Sequence, residues 1–265
     1  MYQGVIAALV TPLSETGEVS ESGVARLLDT VRPHADALLP NLSTGEGRRL
    51  SDRQWEDMLT ATVKHAGGLP VLAGILRPTT ERVLERARVA VDLGAQALVA
   101  TTPYGPGITQ DEIRRHFTEL GERGGLPVVV YHGTEVAGNA ADFDTLLRIC
   151  ELPSVVAVKD SSGSADFTRR LVRARPGARI LAGLEHLLLE SGPVDGYVVA
   201  LANAEPALCA DLFAGRLTDP AARLADACAR YGLERDDWYR RIKTALYHRG
   251  VLETDRTVET AEVGE

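Results

Sequence analysis

The sequence predicts an α/β fold, a (β/α)8 or TIM barrel with a short C-terminal helical appendage, on three observations. Eight apolar, β-branched runs recur along roughly the first 200 residues, with stretches of helical periodicity between them. The pentapeptide Gly-Gly-Leu-Pro-Val occurs twice, at 67–71 and 124–128, each time where a helix should stop and a strand begin. Most strand starts lie roughly 25–35 residues apart, about one βα unit, and eight such units fit a barrel of about 250 residues.

The apolar runs are 5–10, 37–39, 71–75, 97–100, 128–131, 155–158, 180–182 and 196–201. Each is continuous rather than alternating, as strands covered on both faces require. Residues 79–93 and 110–123 carry the helical period. In the repeated pentapeptide, Gly suits a left-handed helix C-cap and Pro forbids continuation of the helix. An open doubly wound sheet would need a glycine-rich phosphate loop after the first strand. The residues there, Thr11-Pro-Leu-Ser-Glu-Thr-Gly-Glu18, contain no such pattern. Beyond 205 the strand signal ends and helical patterns occupy 207–214, 221–231 and 236–248. The expected organisation is a barrel over 1–204, a helical region over 205–250, and a polar, acidic, loosely ordered tail over 251–265.

Composition narrows the function. The chain has 265 residues, a net charge of −8, 45% hydrophobic and 25% charged residues, which excludes disordered, collagenous and disulfide-scaffold classes. No apolar run approaches the roughly 18–20 residues of a membrane span, so no membrane partner is expected. The N-terminal segment lacks a basic region before its apolar stretch and reads as a strand rather than a signal peptide, which predicts a cytoplasmic protein. Arginines are scattered without a basic stripe, which argues against nucleic acid. Cys150, Cys209 and Cys228 have no paired spacing and should be free, buried thiols. The six histidines show no metal-ligand spacing, so no metal is expected.

Of 29 basic residues only Lys64, Lys159 and Lys243 are lysines, and only these can supply a neutral amine. Lys64 and Lys243 fall on amphipathic helices and read as solvated. Lys159 ends a buried strand, and barrel active sites lie at strand C-termini. Its apolar surroundings disfavour an ammonium and make it a candidate Schiff-base nucleophile. An outward-pointing lysine, or one paired with Asp160, is equally compatible with the sequence. Tyr131 ends the fifth run, either as a proton shuttle or as an aromatic plug. The segment Ser43-Thr44-Gly45-Glu46-Gly47 offers backbone N–H groups and hydroxyls suited to a carboxylate.

Taken together, Gly4-Val-Ile-Ala-Ala-Leu-Val-Thr-Pro12, Ser43-Thr-Gly-Glu46, Thr102-Pro-Tyr104, Tyr131, Val158-Lys-Asp160 and Leu201-Ala-Asn203 occur in the order and spacing of a known family. Over roughly residues 4–250 the chain resembles the dihydrodipicolinate synthase and N-acetylneuraminate lyase family, pyruvate-type class I aldolases. The resemblance implies that Lys159 forms an imine with a 2-oxo acid. Ser43 and Thr44 would hold the carboxylate with the backbone around Val198, and Tyr131 would move protons. It implies no cofactor beyond that imine, a 2-oxo acid and an aldehyde as small-molecule partners, and a homo-oligomer, dimer or tetramer.

Several residues depart from the family pattern. Tyr104 is followed by Gly105-Pro106-Gly107, where synthases usually carry a second tyrosine that completes a proton relay across a subunit contact. After Tyr131 the chain reads His132-Gly133-Thr134-Glu135-Val136, so the position of the synthases' carboxylate-gripping arginine is apolar. Leu42 replaces a usual glycine. His132, Glu135, Tyr104 and Glu185 become candidate specificity residues, with His132 able to replace the lost shuttle. These departures lead to the expectation of a 2-oxo-acid lyase, by aldol cleavage or condensation, other than dihydrodipicolinate synthase itself. Two alternatives use the same barrel: an imine-dependent dehydratase or decarboxylase of a sugar-derived 2-oxo acid, and a non-catalytic metabolite-binding protein.

Overall fold

The computed structural model of the chain describes residues 2–174 and 176–258. In order the elements are β1 (Gly4–Ala8), α1 (Glu21–Val31), β2 (Ala37–Leu39), α2 (Asp52–His65), β3 (Leu72–Gly74), α3 (Thr80–Asp92), β4 (Ala97–Ala100), α4 (Gln110–Arg123), β5 (Val128–His132), α5 (Thr134–Ala137), α6 (Phe143–Cys150), β6 (Val155–Asp160), α7 (Ala165–Ala174), β7 (Arg179–Ala182), β8 (Gly196–Val199), α8 (Pro206–Phe213), α9 (Pro220–Tyr231) and α10 (Trp238–His248). The strands pair in parallel in the order β2-β1-β8-β7-β6-β5-β4-β3, and a parallel bridge between Leu38 and Val71 joins the two ends into a barrel.

Local chemistry explains most boundaries. α2 and α4 start with capping boxes, Ser51 with Gln54 and Thr109 with Glu112, in which side chain and backbone each satisfy an orphan N–H of the other residue. The repeated pentapeptides act as expected in part: Gly67, Gly68 and Gly125 have positive φ, whereas Gly124 ends α4 in right-handed geometry.

The pleat sorts the strand residues into two layers. Ile6, Leu39, Val99, Val129, Tyr131, Ala157, Leu181 and Val198 form the cluster inside the barrel. Their sequence neighbours, such as Ala7, Leu38, Leu98, Val130, Val158 and Ile180, join the larger core beneath the helices.

The C-terminal part differs from expectation in three ways. α8, assigned from sequence to the appendage, packs on β1 and so belongs to the barrel's outer ring. Residues 251–258 are not a loose tail: Leu252 is buried in the core, and the buried Thr254 donates to the Leu13 carbonyl at 3.1 Å. A polar sequence is held there because Thr254 meets Leu13, and Glu253 meets Ser20, Ser22 and Arg26, near the N-terminus. Residues 259–265 lie outside the described residues. Lys243 is not solvated but fully buried on α10, where it meets Glu46 at 2.8 Å. The three cysteines are free and buried, and burial pushes the Cys150 and Cys228 thiols up to about 12.

Candidate active site

At the C-terminal ends of β5 and β6, Tyr131 and Lys159 stand opposite each other in register. Both follow inward-facing positions, Val129 and Ala157, so the period of two sends both side chains into the barrel mouth. Lys159 is 5% exposed. Its Nζ lies 3.6 Å from the centre of the Tyr131 ring and donates to Ser161 Oγ at 3.0 Å. An ammonium is attracted by an aromatic face, so the ring both shields and orients the amine. Ser161 Oγ in turn donates to the Gly183 carbonyl at 3.3 Å. The Tyr131 hydroxyl reaches Ser43 Oγ at 3.2 Å, which links the amine, the phenol and the loop after β2.

That loop is built under close constraint. Asn41 and Glu46 hold left-handed φ values of +65° and +59°. A Cβ on Gly47 would lie 1.9 Å from the Asn41 carbonyl oxygen, so only glycine lets the turn close. Glu46 N–H donates to the Ser43 carbonyl at 3.0 Å, and Thr11 Oγ1 donates to the Gly45 carbonyl at 2.7 Å. Ser43 is thereby placed half-buried at the mouth, with Thr44 buried beside it.

The other wall is set by Glu185, in the turn after β7. Its Oε1 accepts the backbone N–H groups of Ala200 and Leu201 at 2.6 and 3.0 Å, just beyond Val198 on β8. Burial raises its pKa above the ordinary carboxylate range, against the opposing pull of those N–H groups and of the Lys159 charge. Asn203 joins β8 to β1, accepting from Val10 N–H and donating to the Ala8 carbonyl.

His132 does not join this group. The pleat turns it and Asp160 outward, where its ring stacks on Phe167 at 4.8 Å. Nδ1 meets Asp160 Oδ1 and Nε2 meets the Ala141 carbonyl, both at 3.0 Å, so neither nitrogen is free to shuttle protons at the mouth. Asp160 is likewise engaged, with Thr168 and the Ser162 N–H, and does not pair with Lys159. Burial pushes its carboxyl up, but these hydrogen bonds outweigh burial and hold it below the usual range. Glu135 is exposed on α5. Val136, by contrast, packs against the inner cluster and presents an apolar side chain to the mouth. Tyr104 is half-buried under the Arg48 guanidinium, 4.9 Å from its ring centre, and burial pushes its phenol up.

Ser161 and Gly183, which complete the site, lie outside the motifs of the sequence. Ser161 was legible, because it lies two residues beyond Lys159 and so shares its face. Gly183 was not, since its need appears only across strands: a Cβ there would meet Ser161 Oγ at 2.4 Å and Lys159 Cε at 2.9 Å.

Residues 1–258 match the family model described as the dihydrodipicolinate synthetase family. The chain belongs to the dihydrodipicolinate synthetase family. Its members are carbon–carbon lyases of the class I aldolase type, which bind pyruvate as a Schiff base on a lysine and need no cofactor. They act on pyruvate and an aldehyde and are commonly oligomeric. Similar relatives include the 4-hydroxy-tetrahydrodipicolinate synthases of Thermomicrobium roseum, 33% identical over 84% of this chain and 75% of that protein, and of Aromatoleum aromaticum, 29% identical over 96% and 90%. Among solved structures, dihydrodipicolinate synthase from Bacteroides thetaiotaomicron is 26% identical with a TM-score of 0.86, covering 96% of this chain and 91% of that one. The Acinetobacter baumannii synthase complexed with pyruvate is 24% identical and shares the fold at a TM-score of 0.88, covering 100% and 94%. These relatives carry the synthase name, so the comparisons lend no support to the expectation of an enzyme other than the synthase. Among the described residues no group of acidic, histidine and cysteine side chains could hold a metal, and no helix is long and apolar enough to cross a membrane.

Proposed function

We propose that this chain forms an imine between Lys159 and a pyruvate-type 2-oxo acid and uses it for aldol condensation or cleavage. The observation that carries this reading is the buried Lys159 amine on the face of Tyr131, whose hydroxyl is bonded to Ser43. The amine attacks the keto carbon and water leaves, giving an iminium. That iminium is an electron sink: loss of a proton from the adjacent carbon gives an enamine, which bonds to an aldehyde carbon while the aldehyde oxygen takes a proton. Hydrolysis then frees the amine, and cleavage runs the same steps backwards. Tyr131 is placed to move these protons. Ser43 and Thr44 receive the carboxylate, together with the backbone near Val198. Ser161 holds Nζ in line between turnovers.

The relatives' names point to 4-hydroxy-tetrahydrodipicolinate as the product, whereas Val136 points to an aldehyde held without a cation at that corner. Tyr104 and Glu185 are the groups left to shape that subsite. Borohydride reduction in the presence of pyruvate should fix the substrate's carbons to Lys159, as peptide mapping by mass would show, and Lys159→Ala should abolish the adduct. Absence of an adduct across a panel of 2-oxo acids would sink the imine reading. Assays for 4-hydroxy-tetrahydrodipicolinate, for released aldehyde plus pyruvate, and for loss of water or CO2 without pyruvate separate synthase, aldolase and dehydratase or decarboxylase chemistry.

A further inference from the structure

Glu46 ends the Ser43–Thr44 turn, yet none of the steps above uses its carboxylate. Its side chain is 1% exposed, and Oε1 accepts from the Lys243 ammonium, itself 0% exposed, at 2.8 Å. The other oxygen, Oε2, accepts the backbone N–H of Val258 at 2.6 Å. Both partners come from the far end of the chain, α10 and the extended segment after it. That segment is anchored before it reaches Glu46, through buried Leu252 and the bond from Thr254 to Leu13. It is therefore a strap laid across the barrel mouth's first loops.

The backbone at Glu46 shows why a strap is needed. A φ of +59° is disfavoured for a residue with a Cβ and persists where the surroundings enforce it. Here they do so by holding both carboxylate oxygens. Burial pulls the Lys243 ammonium below its ordinary range, and the Glu46 carboxylate, with a smaller contribution from Asp255, opposes that pull. Replacing either one leaves an uncompensated charge directly behind the turn. The Ser43 hydroxyl leaves that turn toward Tyr131, Thr44 is buried beside it, and the Glu46 N–H is bonded to the Ser43 carbonyl.

We propose, resting on the carboxylate role given above to Ser43 and Thr44, that the C-terminal strap is a positioning device for the substrate carboxylate. Lys243 and the Val258 N–H hold Glu46, and through its backbone they hold the two hydroxyls in the arrangement that receives a 2-oxo acid. The strap's hydrogen bonds end on Glu46 and Leu13, whereas Lys159 Nζ is held by Ser161, so the strap acts on binding of the acid rather than on imine chemistry.

Three variants test this: Lys243→Met, Glu46→Gln, and a truncation after Asp255 that keeps Leu252 and Thr254 but removes the Val258 N–H. Borohydride trapping at Lys159 is followed as a function of pyruvate concentration, and in parallel with butanone, a ketone that lacks the carboxylate. The half-saturating pyruvate concentration should rise about ten-fold, with the limiting trapping rate within about two-fold and butanone trapping unchanged. If Lys243→Met fails to fold, the truncation decides. Unchanged half-saturation for pyruvate in a folded variant, or equal losses with pyruvate and butanone, overturns the positioning role. No adduct in the unaltered protein removes the imine reading and the strap's role with it. An adduct there with no effect in the variants removes the strap's role alone.

Discussion

Gly183 leaves room for two side chains of the site at once. Its missing Cβ would fall 2.9 Å from Lys159 Cε and 2.4 Å from Ser161 Oγ, closer than atoms of a packed interior approach. Gly183→Ala should therefore displace the amine from the Tyr131 face. Because displacement of a reacting group by about 1 Å can cost around a hundred-fold in rate, trapping at Lys159 should slow by about that factor. The same variant should change the thermal midpoint far less, and an unchanged trapping rate would show that Lys159 does not need the Ser161 bond. Residue-level features were unevenly legible in the sequence. Lys159 and Tyr131 stood out because a polar group ending an apolar strand is conspicuous. The outward turn of His132 was available from strand parity alone, since it directly follows Tyr131. The burial of Lys243 had a weaker trace, one turn before buried Leu246 on α10.

At the scale of elements, the strands and helices follow the sequence closely because each is specified locally. Continuous apolar runs become doubly covered strands, and the capping boxes mark helix starts to the residue. Thr109→Ala removes the side chain that accepts from Glu112 N–H and should cost about 1 kcal/mol in urea unfolding, with trapping at Lys159 unaffected. A loss of trapping would mean that α4 controls the site more directly than its position between α3 and α6 implies. The place of α8 is decided by context. An apolar helix near the end of a chain reads the same whether it closes a barrel or decorates it, and only its packing on β1 distinguishes the two.

For the molecule as a whole, acid stability should depend on a histidine outside the site. Burial lowers the His116 pKa from 6.5 to about 4, where the ring lies between the hydroxyl of Thr80, 2.9 Å from Nδ1, and the edge of Phe117. The unfolded chain then binds a proton that the folded one refuses between pH 6.5 and 4, so stability falls as pH drops through that window. The loss should approach about 3 kcal/mol near pH 4, and His116→Gln should flatten the curve of unfolding free energy against pH. Carboxylates held below their usual range, Asp160 among them, add their own losses at lower pH, where the unfolded chain takes up protons that the folded state still refuses.

By itself the sequence determined the alternation of strands and helices, and it left Lys159 as the one lysine at the end of a buried strand. Both are local properties, written in the spacing of apolar residues and in which face a strand position takes. Only the tertiary structure decided that Lys243 and Glu46, 197 residues apart, neutralise each other behind the Ser43–Thr44 turn, and that 251–258 is a strap rather than a tail. The physical reason is that a buried charge or a polar segment is stable only beside its partner. Which distant partner it meets is set by closure of the barrel, not by its neighbours in the chain.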